Sequence, residues 1–339
     1  MIVDRYYYHQ LNKKEQAVYK AFYNGVMVHK EIIQIPARGE FSQDSFERIF
    51  MAMTRDNPLI YFLNQSACSI ATDIFGHIAI CPQYFFTKEK IKEYNRKIEK
   101  VVNGLAVQLN LLECTDYEKE LRIHDWICQN IEYDYQGTNK DKVSRVIASH
   151  NILGVFAYHK AQCEGIAKAI KVLLNAVDVK CIVVTGVATR GKQNVPHAWN
   201  IVNIDGEPYQ LDVTWDIGAV EQNKKHIAYD YFNLTDELMN QDHKADSKLP
   251  DCRSRFANYY FQNECSFQMK DQLLEYIDNL VNQNENSLEF RVECRLNQLA
   301  TEKEVSEYIL QRLKEQGKNN VGIRICSNRK LGIYRMEIF

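Results

Sequence analysis

Ala161-Gln162-Cys163-Glu164-Gly165-Ile166-Ala167-Lys168-Ala169-Ile170-Lys171-Val172-Leu173-Leu174 opens on a cysteine and continues at helical spacing. Ile166, Ile170, Leu173, Leu174 and Val177 share one apolar face, which predicts a buried helix over 163–177 with Cys163 in its first turn. At that position unpaired backbone N–H groups and the positive end of the helix dipole favour a thiolate, the attacking form of cysteine. Gly165, Ala167 and Ala169 are small enough to let a second stretch of backbone approach the first turns.

Working outward, two runs follow that alternate as strands, 197–204 and 207–215, joined by Asp205-Gly206, the pair that favours a two-residue hairpin turn. With that turn Ile204 pairs with Glu207, so Trp199 is expected to face Asp212 and His197 to face Thr214. His197 and Asp212 then lie on one face as diagonal neighbours. Ala198, Val202, Ile204, Tyr209, Leu211 and Val213 fall on the other face, and Trp215 falls with them. A one-residue bulge at the turn would invert one strand's faces. With parity kept, Cys163, His197 and Asp212 stand in the order nucleophile, general base and orienting carboxylate, the set that acyl transfer requires.

Each residue alone has a plainer reading, because buried cysteines are usually inert and a histidine beside tryptophan is usually structural. Together, helix-start placement and a shared hairpin face favour a reactive site. A structural zinc site of His159, Cys163, His197 and Asp212 is the rival arrangement, but no C-x-x-C pair accompanies it. No metal and no cofactor is expected.

Cys163-Glu164-Gly165, His197-Ala198-Trp199-Asn200 and Leu211-Asp212-Val213-Thr214-Trp215-Asp216 resemble, in this order, the motifs of the transglutaminase-like superfamily of papain-like cysteine enzymes, particularly its bacterial branch. Weaker similarity takes in Ile131-Glu132-Tyr133-Asp134 and Tyr231-Phe232-Asn233-Leu234-Thr235-Asp236, so the resemblance spans roughly 115–245. It implies that Cys163, His197 and Asp212 form the triad. Two positions depart from the family: Gln162 stands where an apolar residue is common before the cysteine, and Ile166 where an aromatic one is common after Cys-x-Gly. Gln162 is expected to cap the helix or face solvent, leaving the Cys163 backbone N–H as the oxyanion donor.

The 339 residues allow two or three domains, with 45% hydrophobic and 25% charged residues as in an ordinary folded protein. A formal net charge of -2 gives no general attraction to nucleic acid or anionic membrane. The ten cysteines form no disulfide framework or paired metal spacing. With no signal-like or membrane-spanning apolar run, the expectation is a cytoplasmic protein acting on a peptide or protein substrate, with neither nucleic acid nor membrane as partner.

The expected fold class is α+β: a transglutaminase-like (papain-like) core with a helix-start cysteine and an antiparallel sheet, flanked by two further regions. Residues 1–110 read as mainly helical with a strand-rich insert: helices over Asn12–Lys30 and Ser42–Arg55, short strands within Leu59–Phe86, and a helix from Glu89. The core is placed at 111–245, where Thr115 and Glu118 form a capping box and His124 lies on an apolar stripe as a packed core histidine. A polar loop over 135–147 is expected to border the cleft. Residues 246–264 read as a linker or edge segment within an irregular stretch from 240, and 265–339 as a small αβαββ domain, its first strand running from Leu288 to Cys294.

Function follows from the triad: hydrolysis of an amide by a peptidase or amidase, through a thioester. A transglutaminase, with an amine in place of water, uses the same residues. A non-catalytic peptide-binding or scaffold protein is the reading from another class. With Trp199 alone on the triad face the site reads as open and wet, which favours water.

Overall fold

The computed structural model describes residues 5–38, 41–135, 147–222, 226–293 and 301–339. Two compact units divide the chain: 1–228 together with 242–252, and 229–241 together with 253–339. The expected loop at 135–147 falls almost wholly at 136–146, and Cys294 at 294–300; both lie outside the described residues.

In the first unit, the N-terminal helices begin where polar side chains satisfy their opening N–H groups. Asn12 and Glu15 form a capping box on the helix Lys13–Met27, and Ser42 caps Gln43–Asp56. Their apolar faces meet through Phe22, whose ring lies 6.0 Å from that of Phe46 and 6.1 Å from that of Phe50. The strand-rich insert is a three-stranded antiparallel sheet of Ile33–Arg38, His77–Cys81 and Ser69–Thr72. Ile33–Arg38 was not evident in the sequence. Helices Lys88–Gln108 and Asp116–Asn130 follow, the latter opened by the Thr115–Glu118 capping box.

The site is built on a four-stranded antiparallel sheet in the order Glu207–Leu211, Gln193–Ile204, Cys181–Arg190, His243–Ala245, against which the helix Cys163–Ala176 packs. Its first hairpin turns at Asp205 and Gly206, whose φ values of 52° and 94° are the left-handed pair that a two-residue turn demands. Ile204 pairs with Glu207 and Asn200 with Leu211, so the expected register holds.

The strand does not reach residue 215. It ends at Leu211, and Val213–Gln222 is a helix. The cause is local: Asp212 Oδ1 accepts from the backbone N–H of Thr214 at 3.0 Å and of Trp215 at 3.3 Å, capping a helix where a ladder would otherwise continue. The expected Trp199–Asp212 and His197–Thr214 strand pairs therefore do not form. Nor has the central strand one polar face, since His197 through Val202 are all buried.

Within the stretch read as irregular, His243–Ala245 adds an edge strand to Cys181–Arg190, pairing Ala188 with His243 and Gly186 with Ala245. The approach is close enough to require glycine: a Cβ on Gly186 would stand 2.2 Å from the Lys244 carbonyl oxygen. The strand is anchored just beyond its end, where Asp246 accepts from buried Arg55 at 2.8 Å and from Thr185 at 2.5 Å.

In the second unit the sheet order is Ser266–Phe267, Ser287–Val292, Ile333–Ile338, Ile323–Asn328, with helices Lys270–Asn282 and Glu302–Glu315. This is the αβαββ order preceded by one short strand, parallel to its neighbour. Residues 229–241 belong here through polar bonds in the interior. Arg335 pairs with Asp230 and, at 2.9 Å, with Glu289, while Asn258 donates to the Phe232 carbonyl at 2.9 Å.

Candidate active site

Cys163 is the first residue of its helix, half-buried and packed against Ala167, Val183 and Ala198. Two backbone stretches hold that helix start. A Cβ on Gly165 would come within 2.6 Å of the Ser149 carbonyl, so the glycine admits the preceding turn as the small residues foretold. On its other flank, Asn200 donates its side-chain amide to the Ala167 carbonyl at 2.9 Å and to that of Ile182 at 3.2 Å, tying the histidine strand to the cysteine helix.

Gln162 neither caps this helix nor lies open to solvent. Its side chain makes no capping bond and instead donates to the Asp134 carbonyl at 3.1 Å. Asp134 in turn accepts from the Ser149 hydroxyl at 2.9 Å. The Ile131–Asp134 motif thus brackets the residue before the nucleophile: its short strand Glu132–Tyr133 pairs with Lys160–Ala161. Burial, reinforced by a smaller contribution from Cys163, pushes the Tyr133 hydroxyl up to about 12.

His197 donates through Nε2 to Asp212 Oδ2 at 2.6 Å, which leaves Nδ1 to face the Cys163 thiol. Burial works against the imidazolium, but the Asp212 charge, its hydrogen bond and the interaction with Cys163 outweigh it, raising His197 to about 10. Burial would likewise raise the Asp212 carboxyl; the His197 charge and the donors around it hold it far below the carboxylate range instead. The three residues singled out from the sequence are therefore brought together, Asp212 reaching His197 from a helix cap rather than from across a ladder.

Trp215 lies on this side too, contrary to its expected place in the core. The change from strand to helix at Asp212 rotates it to within 6.0 Å of the His197 ring, half-buried, while Trp199 stacks on the same ring at 6.1 Å and donates to Gln210 at 2.8 Å. Two indoles, not one, flank the imidazole.

Sequence reasoning missed His243. It is buried, and its Nε2 reaches the same Asp212 Oδ2 at 3.1 Å while its Nδ1 meets Asp242 Oδ1 at 2.7 Å. A three-residue strand carries no periodic signal, and 31 residues separate His243 from Asp212. Ligand-type atoms of His197, Asp212 and His243 lie within 4.8 Å of one another, the group among the described residues with metal-holding proximity. They are engaged in hydrogen bonds with each other, and His159, exposed beside Trp126, is outside the group.

His124 is the core histidine expected, with partners the sequence did not disclose: Asp216 at 3.2 Å, Asp125 at 3.0 Å and Cys128 at 3.6 Å. This second cysteine, histidine and aspartate set is sealed from substrate, since the His124 and Asp216 side chains are both 0% exposed. It fastens the helix that Asp212 caps to Asp116–Asn130.

Among the described residues no helix is long and apolar enough to cross a membrane. Residues 104–213 match the sequence profile of the transglutaminase-like superfamily. The kyphoscoliosis peptidase of Mus musculus is 28% identical over 163 residues, 44% of this chain and 24% of that protein. The Homo sapiens counterpart is 30% identical over 146 residues, 40% of this chain and 22% of that protein. The chain thus spans about a quarter of the length of these curated relatives. Among solved structures, a TGase covers 54% of this chain and 50% of its own at 17% identity and a TM-score of 0.31. A candidate cysteine protease from Cytophaga hutchinsonii covers 43% and 61% at 15% identity and a TM-score of 0.28. Over residues 104–213 the chain carries a transglutaminase-like core.

Proposed function

We propose that this protein hydrolyses amide bonds in peptide or protein substrates by cysteine acyl transfer, with Cys163 as nucleophile, His197 as acid and base, and Asp212 as the carboxylate that orients it. The observation that carries the reading is a helix-start thiol beside an imidazole whose other nitrogen is bonded to a buried carboxylate at 2.6 Å. The Cys163 sulfur attacks the amide carbon, and the negative oxygen that develops is met by the Cys163 backbone N–H, which as the first of its helix has no intrahelical acceptor. His197 passes its proton to the departing amine as the C–N bond breaks, leaving a thioester. Water attacks next, His197 takes its proton, and the sulfur leaves as thiolate.

Similarity to proteins named peptidases supports water as acceptor. A transferase reading draws on a different observation: Trp199 and Trp215 both wall the imidazole, and apolar walls help an amine compete with water at about 55 M. An acyl-donor probe followed by peptide mass spectrometry decides the first question, with an adduct expected on Cys163. Equal labelling of the exposed thiols would overturn the enzyme reading. The same acyl donor given with millimolar amine decides the second: free acid is expected to exceed amide, and mostly amide would establish transfer.

A further inference from the structure

His243 stands between two carboxylates. An ionised carboxylate can only accept, so a ring that faces Asp212 Oδ2 at 3.1 Å through Nε2 and Asp242 Oδ1 at 2.7 Å through Nδ1 carries a proton on each nitrogen. That makes it a cation. The oxygen it reaches is the one that His197 uses at 2.6 Å, so one carboxylate oxygen serves two imidazoles whose ring centres are 5.3 Å apart.

The surroundings hold the ring in that place. Trp199 and Trp215 pack on it at 5.1 Å and 4.7 Å. The Thr189 N–H donates to the Asp242 carbonyl at 2.7 Å, and Gly186 lets the edge strand come close. Among the described residues, titratable groups that face it include Asp242 beside it in the chain, Asp212 at the helix cap and His197 on the central strand. The segment paired with its own strand, Gly186–Val187–Ala188, offers none.

We propose that His243 is a positioning residue of the reaction assigned to Cys163: a cation that takes part of the Asp212 charge and so limits how tightly His197 holds its proton. The inference rests on the proposed function, because it concerns the step in which His197 gives that proton to the departing amine. An Asp212 committed to His197 alone would stabilise the imidazolium further and make it a poorer acid. The like charge of His243 acts in the same direction through space. Both effects keep His197 within working range despite a partner 2.6 Å away.

The pH dependence of Cys163 alkylation by iodoacetamide, followed on its own peptide by mass spectrometry, tests this without a known substrate. In the native protein Cys163 should react faster than the other thiols, with an upper inflection that reports loss of the His197 proton. In His243→Gln the amide still donates to Asp212 but the charge is gone, so that inflection should rise by roughly one unit. Asp242→Asn, which weakens support for the cation from the other side, should move it the same way by less. An inflection unmoved in both variants would overturn the proposal while leaving the function standing; native Cys163 no faster than other thiols would sink both. Histidine 15N spectra of the native protein provide a check that needs no variant to fold. Every buried imidazole bonded at both nitrogens should read as doubly protonated at pH 7, and a singly protonated His243 would overturn the proposal.

Discussion

Asn200 donates its side-chain amide to the carbonyl oxygen of Ala167 at 2.9 Å, a bond that fastens the strand bearing the imidazole to the helix bearing the thiol. Neither residue is proposed to touch substrate, yet the pair sets the distance between two that are. Asn200→Ala would leave the Ala167 and Ile182 carbonyls without this donor in a dry interior. A loss of about 1–3 kcal/mol is expected in urea unfolding, together with slower alkylation of Cys163.

Asp212 has two duties that can be separated. Asn at this position still offers an oxygen to the Thr214 and Trp215 N–H groups, so Asp212→Asn should preserve the cap while removing the charge that holds His197. Turnover is expected to fall by about 10²- to 10⁴-fold with the circular dichroism spectrum unchanged. Asp212→Ala should lose as much activity and about a further 1 kcal/mol of stability, measured against the Asn variant.

Gly186, the cross-strand partner of His197, is a backbone handle on the same site. Gly186→Ala places a methyl against the Lys244 carbonyl, which belongs to backbone and cannot swing away. The edge strand must shift, with a cost of about 1–3 kcal/mol in thermal or urea unfolding, and His243 shifts with it. Slower turnover is expected, with little change in KM.

The site should leave its mark on stability against pH. Asp212 is depressed in the folded state, so its contribution is present above the unfolded carboxylate value of about 4 and is lost as pH falls toward its folded one. His197 is raised to about 10, so its contribution is full below the unfolded value of roughly 6.5 and is lost as pH climbs through about 10. His243, also raised, adds loss on the alkaline side. The melting temperature should therefore peak between about pH 4 and 6.5 on account of these groups, and His197→Ala should flatten the alkaline decline.

How much could be read from residues alone depended on whether the signal was local. The cysteine helix announces itself by its apolar spacing, and the hairpin register follows from Asp205-Gly206, because a turn with two left-handed residues permits one pairing. The end of the second strand was misread because Leu211, Val213 and Trp215 suit alternation as well as a helix start. The overlooked clue was Asp212 itself, whose short carboxylate is a strong cap. Trp215 was misplaced as a direct consequence. His243 and the His124–Asp216 pair were beyond reach for another reason: their partners lie 31 and 92 residues away, and no local pattern encodes such a meeting. The transglutaminase-like fold was legible because its three motifs are short, ordered and local.

The two indoles beside His197 carry one more implication. They are two of only three tryptophans in the chain, and the third, Trp126, sits near His159 instead. A protonated imidazole quenches the excited state of a neighbouring indole, whereas a neutral one does so weakly. Two of the three indoles of this protein thus lie within 6.1 Å of the group proposed to move the proton. The chain carries its own optical gauge of the site, and a stopped-flow fluorimeter should see acylation of Cys163 as a change in light, with no label attached.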